Sequence, residues 1–310
     1  MRFRRMFAAG TVAAGVIAAS TAAAFPSAPV DRSQPLPALT AQALTARYAA
    51  DSRVITQAAG AAGRAGNQPL ASALNTMRGG QFIDVNPAGP GLAVEVIGDL
   101  AEARRVAILV PGSDTSLTTF DSRGTASPGG AARALAAQAR QLDPGAHLAI
   151  IAWLGYATPA TISPAVMTSG DAGQGASALR PLVDDLARHG DQVALICHSY
   201  GSVVCGLAAR NLPVTDIAVI GSPGMDASSV GALHTTARVW AGRGAGDWIS
   251  YVPHTQLLGL GFGPDPAAAA FGARLFACGS GGHSDYFRPG GVALRNLAYI
   301  ALGDPAGVTR

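Results

Sequence analysis

The 310-residue chain contains no lysine; all 22 of its basic residues are arginine. Together with the excess of alanine and glycine, this reads as a high-GC coding bias rather than as a binding surface. Charge is sparse as well, at 13% of residues. Residues 1 to 24 hold three arginines and no acid, so the remainder is balanced in charge, which argues against nucleic acid as a partner. Cys197, Cys205 and Cys278 are too few and too irregularly spaced for a disulfide scaffold or a zinc site, and an odd number leaves at least one unpaired. No Walker-type phosphate loop is present, and the glycine-rich stretches "LGLGFG" and "GRGAG" lack the strand, spacing and helix of a dinucleotide site. No metal constellation appears, and no repeat has the period of a solenoid or propeller. No cofactor is therefore expected.

What the chain does have is apolar mass. At 49% hydrophobic residues it can bury a sizeable core, as one large domain with appendages. Its first residues combine a basic start (Arg2, Arg4, Arg5), a weakly apolar run rich in alanine and valine, and the small-residue pattern Ala22-Ala23-Ala24. That layout is a secretion signal with cleavage after Ala24, placing the mature protein outside the cell or at its envelope; the alternative is a retained membrane anchor. Residues 25 to 79 read as a proline-rich linker followed by an alanine-rich stretch, Thr40 to Met77, of one or two helices. The glycine-broken run "AAGAAGRAG" (residues 58 to 66) suggests a loose or frayed region rather than continuous helix.

From residue 80 to 310 the pattern is regular. The runs "LAVEVIG", "RVAILVPG", "HLAIIAWLG", "QVALICHS", "DIAVIGSPG", "ARVWAGRG" and "ARLFACGS" read as strands, several of them nearly continuous in hydrophobicity, as strands covered on both faces are. Alanine-rich segments of helical length lie between them, at residues 130 to 141, 176 to 188 and 200 to 210, and "GGVALRNLAYIALG" reads as a closing helix. The expected class is α/β, a mainly parallel sheet flanked by helices on both faces.

In "QVALICHSYGSVVCGLAAR" a strand runs into Ser199 and a helix begins at once, the strand-to-helix turn that exposes a nucleophile. Such a turn is crowded, and glycine is usual two residues to either side; Gly201 meets the second position, whereas Cys197 replaces the first. The alternative is a serine that caps the helix. Partners follow in the chain order Ser, acid, His that this architecture uses. Asp247 in "VWAGRGAGDWIS" follows a strand, with helix N-capping as its alternative role and Asp226 as its competitor. Of six histidines, His283 in "CGSGGHSDYF" sits in a glycine-rich loop between the last strand and the closing helix, where a base can reach Ser199; His254 lies too close behind Asp247. Backbone N–H groups of Tyr200 and, past Gly112 in "AILVPGSDTS", of Ser113 would form the oxyanion hole.

These segments, "GDLAEARRVAILVPGSD", "AIIAWLGYATP", "CHSYGSVVCG", "IGSPGMD" and "GGHSDYF", in this order and spacing, resemble the alpha/beta hydrolases of high-GC bacteria catalogued as domain of unknown function 1023. The resemblance covers residues 80 to 300. It implies the alpha/beta-hydrolase fold and a triad of Ser199, Asp247 and His283, and it implies no defined substrate. The sequence departs from the family pattern at Cys197, where glycine is usual, and at "GAGDWIS", where two acids are. On the same topology, two strands separate those ending near Cys197 and Cys278, roughly 14 Å, which excludes a bridge between these two. Export permits a bridge without requiring one.

Residues 155 to 175, rich in Pro, Gly and Ser, leave the carboxyl end of a strand and read as a wall or lid. Trp153, Tyr156, Met167 and Tyr200 are candidates for an apolar acyl pocket, with core packing the alternative for Trp153. The expected activity is that of a carboxylesterase or lipase-like serine hydrolase acting on a small-molecule or lipid ester, with transient contact with envelope lipids. A peptidase or amidase using the same three residues, and a non-catalytic envelope-binding protein, are the alternatives.

Overall fold

The computed structural model describes residues 35–122 and 124–310. The proposed signal and the first part of the linker lie outside the described residues. Among the described residues no helix is long and apolar enough to cross a membrane.

Among the described residues eight strands form one sheet: β1 (Gln81–Asn86), β2 (Leu92–Ile97), β3 (Arg105–Val110), β4 (Leu148–Leu154), β5 (Gln192–His198), β6 (Asp216–Ile220), β7 (Arg238–Gly242) and β8 (Arg274–Leu275). Their order is β1-β2-β4-β3-β5-β6-β7-β8. Strands β1 and β2 run antiparallel at one edge, and β3 through β8 are mutually parallel. Side chains alternate across the sheet. In β3, Val106, Ile108 and Val110 enter one core and Ala107 and Leu109 the other. Helices α4 (Gly170–His189) and α5 (Gly201–Ala208) cover the first face, α3 (Pro128–Leu142) and α6 (Val292–Leu302) the second. This is the α/β arrangement expected, an alpha/beta-hydrolase sheet clad on both sides.

The N-terminal helices are part of this body. Helix α1 (Ala41–Arg64) is continuous through Gly60 and Gly63, and α2 (Gln68–Thr76) follows it. The expectation of a loose stretch at residues 58 to 66 fails because Ile55, Ala59 and Ala62 recur on one buried face, so burial outweighs the weak propensity of two glycines. Helix α4 begins at Gly170, inside the stretch read as a lid, so the irregular connection is residues 155 to 169. A side chain at Gly175 would press on Tyr156 and Val204, so this glycine serves close helix packing.

At the amino ends of the parallel strands, Asp216 is fully buried. It accepts two 2.7 Å hydrogen bonds from Arg238, its register partner on β7, and one of 2.9 Å from Trp240 Nε1. Trp153 and Tyr156, offered as pocket residues, are core: their rings stack at 5.8 Å, and the Tyr156 hydroxyl donates to the Pro111 carbonyl.

Candidate active site

Strand β5 ends at His198, and α5 starts at Gly201, leaving two residues for the reversal. Ser199 takes it with φ 55°, a left-handed conformation that side-chain-bearing residues rarely hold. Its N–H donates to the Ile220 carbonyl at 2.9 Å. A side chain at Gly201 would collide with the Val110 and Pro111 carbonyls, so the helix lies against the end of β3 only because this residue is glycine. Gly112 likewise has no room: its missing Cβ would stand 2.6 Å from Ser199 Cβ. Its lack of a side chain permits the close approach to the serine. Ser113 and Tyr200, the expected oxyanion-hole residues, both line the cavity in front of Ser199.

A disulfide joins Cys197, the penultimate residue of β5, to Cys205 in the second turn of α5. Sequence reasoning missed it, because only the reversal at Ser199 folds two cysteines eight residues apart onto each other. The position where glycine is usual is thus filled by a sulfur bonded to the helix. Cys278 is free and buried beyond β8, with β6 and β7 between it and Cys197, as expected.

Ser199, His283 and Asp247 are brought together. Ser199 Oγ lies 2.9 Å from His283 Nε2, and His283 Nδ1 lies 2.9 and 3.1 Å from the two Asp247 oxygens. Donation from Nδ1 to the carboxylate leaves Nε2 to accept the serine proton. Asp247 follows β7 and also caps the turn Trp248–Tyr251, accepting the Ile249 N–H at 2.8 Å. The two readings of this residue are therefore one geometry. The alternatives lie elsewhere: Asp226, offered in place of Asp247, accepts from Gln256, and His254, weighed against His283, meets the Ser222 carbonyl.

Three further residues surround the histidine. The Tyr286 hydroxyl donates to Asp247 Oδ2 and accepts the Gly244 N–H at 3.2 Å. His198 donates from Nε2 to the His283 carbonyl at 2.8 Å, its ring 4.8 Å from that of His283, and the Trp248 ring lies 4.6 Å away on the same imidazole. Tyr286 sits three residues past His283 in "GGHSDYF", a nearness that flagged it only in retrospect.

The electrostatics follow from burial and these bonds. Burial alone would raise the Asp247 carboxyl; the hydrogen bonds from His283, Tyr286 and Ile249 outweigh it and hold the group below its ordinary value. Burial, reinforced by nearby His283, pushes His198 down to about 4, so it is neutral at pH 7. Burial first, and then its bond to the carboxylate, raise the Tyr286 phenol, which stays protonated as a donor.

Ser199 opens on a cavity of about 720 Å³. Its wall includes Met167, Tyr200, Trp248, Leu258, Phe262 and Phe287. The Tyr200 hydroxyl donates to the Thr168 carbonyl at 2.7 Å and accepts the Ala172 N–H, binding the residue after Ser199 to the segment 155–169 and to α4. Of the four residues offered as pocket lining, Met167 and Tyr200 are in the wall.

A family model described as alpha/beta hydrolase matches residues 86–257. An uncharacterized protein of Mycobacterium tuberculosis, found in two strains, is 33% identical over 251 residues, 69% of this chain. The chain spans 37% of the length of these curated relatives. Among solved structures, the esterase PE8 has a TM-score of 0.45 at 15% identity, over 67% of this chain and 97% of its own. A dienelactone hydrolase from Anabaena variabilis has a TM-score of 0.45 at 17% identity, over 74% of this chain and 97% of its own.

Proposed function

We propose that this chain, which belongs to the alpha/beta hydrolase family, is an exported serine esterase that cleaves an acyl ester through Ser199, His283 and Asp247. One observation carries the reading: an unbroken hydrogen-bonded series from the serine to the carboxylate, standing at the wall of an apolar cavity.

The roles follow from the geometry. His283 Nε2 takes the Ser199 proton as Oγ attacks the acyl carbon, and Asp247 steadies the imidazolium that forms. Charge that develops on the acyl oxygen falls to the N–H groups of Ser113 and Tyr200. The imidazolium returns its proton to the departing alcohol, and the acyl group remains on Ser199. Water, deprotonated by His283, then releases the acid and regenerates the serine. The mainly apolar wall, with Asp114 its one acid, favours an ester over a peptide, and the intact series disfavours a non-catalytic binding protein. The Cys197–Cys205 bridge supports export, because oxidising compartments are where such bonds persist. Membership of the high-GC subgroup named above is part of the same proposal.

The test is labelling with a fluorophosphonate probe, comparing the natural chain with Ser199→Ala and His283→Ala, followed by p-nitrophenyl esters of graded length. Labelling that disappears in both variants supports an activated serine. A folded natural chain that neither labels nor cleaves any ester removes the reading.

A further inference from the structure

Nine large apolar side chains are exposed among the described residues, and seven of them gather at the cavity: Ile162, Met167, Trp248, Tyr251, Leu257, Leu258 and Leu260. Scattered exposed leucines are ordinary on a protein surface; a ring of them around one opening is not. Five line the cavity, while Ile162 and Tyr251 do not and stand next to Thr161 and Val252, which do, counting along the chain. The two segments that carry them are tied together, since the Gly261 N–H donates to the Met167 carbonyl at 2.9 Å.

The tip is strained in a telling way. Leu257 and Leu260 exchange backbone hydrogen bonds of 2.9 and 3.0 Å, leaving Leu258 and Gly259 to turn the chain. Leu258 holds φ 53°, where glycine or asparagine would sit without penalty, and is 95% exposed. A leucine in this conformation is disfavoured, and at this exposure it recovers little by packing. Residues 154 to 170 and 248 to 264 contain no acid and no arginine.

We infer that this rim docks on a lipid layer of no net charge, its side chains entering the acyl region beneath the headgroups from which the site draws its ester; this rests on the serine-esterase reading above. The two segments carry no charge of their own, and the acids bonded to them, Asp114 at the Thr161 N–H and Asp226 at Gln256, would repel an anionic layer, so a layer of no net charge is the match. Ile162 at 98% and Tyr251 at 88% exposure project as fingers, a shape suited to a yielding surface rather than to a complementary protein face. A protein seated on this ring would close the route to Ser199, whereas a lipid layer both holds the ring and supplies the apolar tail that the cavity accepts. Trp248 and Tyr251 add the ring-with-polar-tip chemistry of membrane boundaries.

The experiment uses flotation with phosphatidylcholine vesicles at low and high salt, and hydrolysis of dissolved p-nitrophenyl butyrate beside an emulsified long-chain triacylglycerol. The natural chain, the double variant Ile162→Asp/Tyr251→Asp and Leu258→Asp are compared. The natural chain is expected to float at both salt concentrations. The double variant should lose at least about tenfold in vesicle binding and in emulsion hydrolysis while cleaving the dissolved ester at the natural rate. Leu258→Asp should lose vesicle binding. The inference is overturned if the natural chain does not float, if binding vanishes at high salt, or if the variants bind and cleave emulsions as before. It is also overturned if sedimentation shows a dimer that Leu258→Asp splits, which would make a second copy the occupant. Flotation without cleavage of either ester would remove the esterase reading and leave the docking surface standing.

Discussion

Tyr286 donates its phenolic hydrogen to Asp247 Oδ2, the carboxylate that also receives His283 Nδ1 and the Ile249 N–H. The acid is thereby held by three donors, only one of which is the base it orients. Tyr286→Phe keeps the ring and removes one donor. The carboxylate left behind is less satisfied and grips the imidazolium more tightly, so the acid limb of the pH–rate profile should move to higher pH. With alignment also loosened, kcat/KM should fall about tenfold, equivalent to about 1.4 kcal/mol. A profile that keeps its limbs while Tm alone drops would assign the tyrosine to packing.

The Cys197–Cys205 bridge closes a short loop around Ser199. Loop-closure reasoning gives about 2–3 kcal/mol for a ring of this size. Cys197→Gly with Cys205→Ala should lose about that much in urea unfolding, and reductant should no longer shift its transition. Unfolding of the natural chain should be sensitive to reductant. The double variant, which restores the glycine usual at such turns, should retain activity while folded.

His198 supplies a pH dependence. Its unfolded imidazole titrates near 6.5 and its folded one is pushed down to about 4. The unfolded chain therefore binds the extra proton between these values, and stability present above pH 6.5 is lost as pH falls toward 4. Buried Asp51, raised to about 6, and Glu95, raised to about 7, act in the opposite direction, since their folded forms keep protons longer. Comparison with His198→Asn isolates the histidine: Tm measured from pH 7 to 4 should fall less in the variant, by about 2–4 °C for each kcal/mol involved. Equal slopes would mean that His198 is not buried in its neutral form.

The parallel strands were readable because continuous runs such as "RVAILV" have no other use than burial on both faces. Strand β1 was not, because "QFIDVN" interrupts its apolar residues with Asp84 at an antiparallel edge. The last run shrank to Arg274 and Leu275, both exposed, since only one neighbour pairs with them. Ser199, His283 and Asp247 could be found because this topology fixes their chain order and leaves each at the end of a strand or in the loop beyond it. Tyr286, His198 and Cys205 could not, because their roles exist only as distances across the fold. Trp153 and Tyr156 misled as aromatics near a strand end; the stacking that buries them is invisible in sequence.

Helix α1 contributes Leu44 to one core and Ile55 and Ala59 to the other, and Leu36 and Leu39 just before it pack on the first. It acts as a strap over the edge of the sheet. A protease that trims the chain from its amino end can therefore be tolerated only up to about residue 35. Any maturation cut must lie upstream of the strap, and one made within it would release hydrophobic surface from both layers at once.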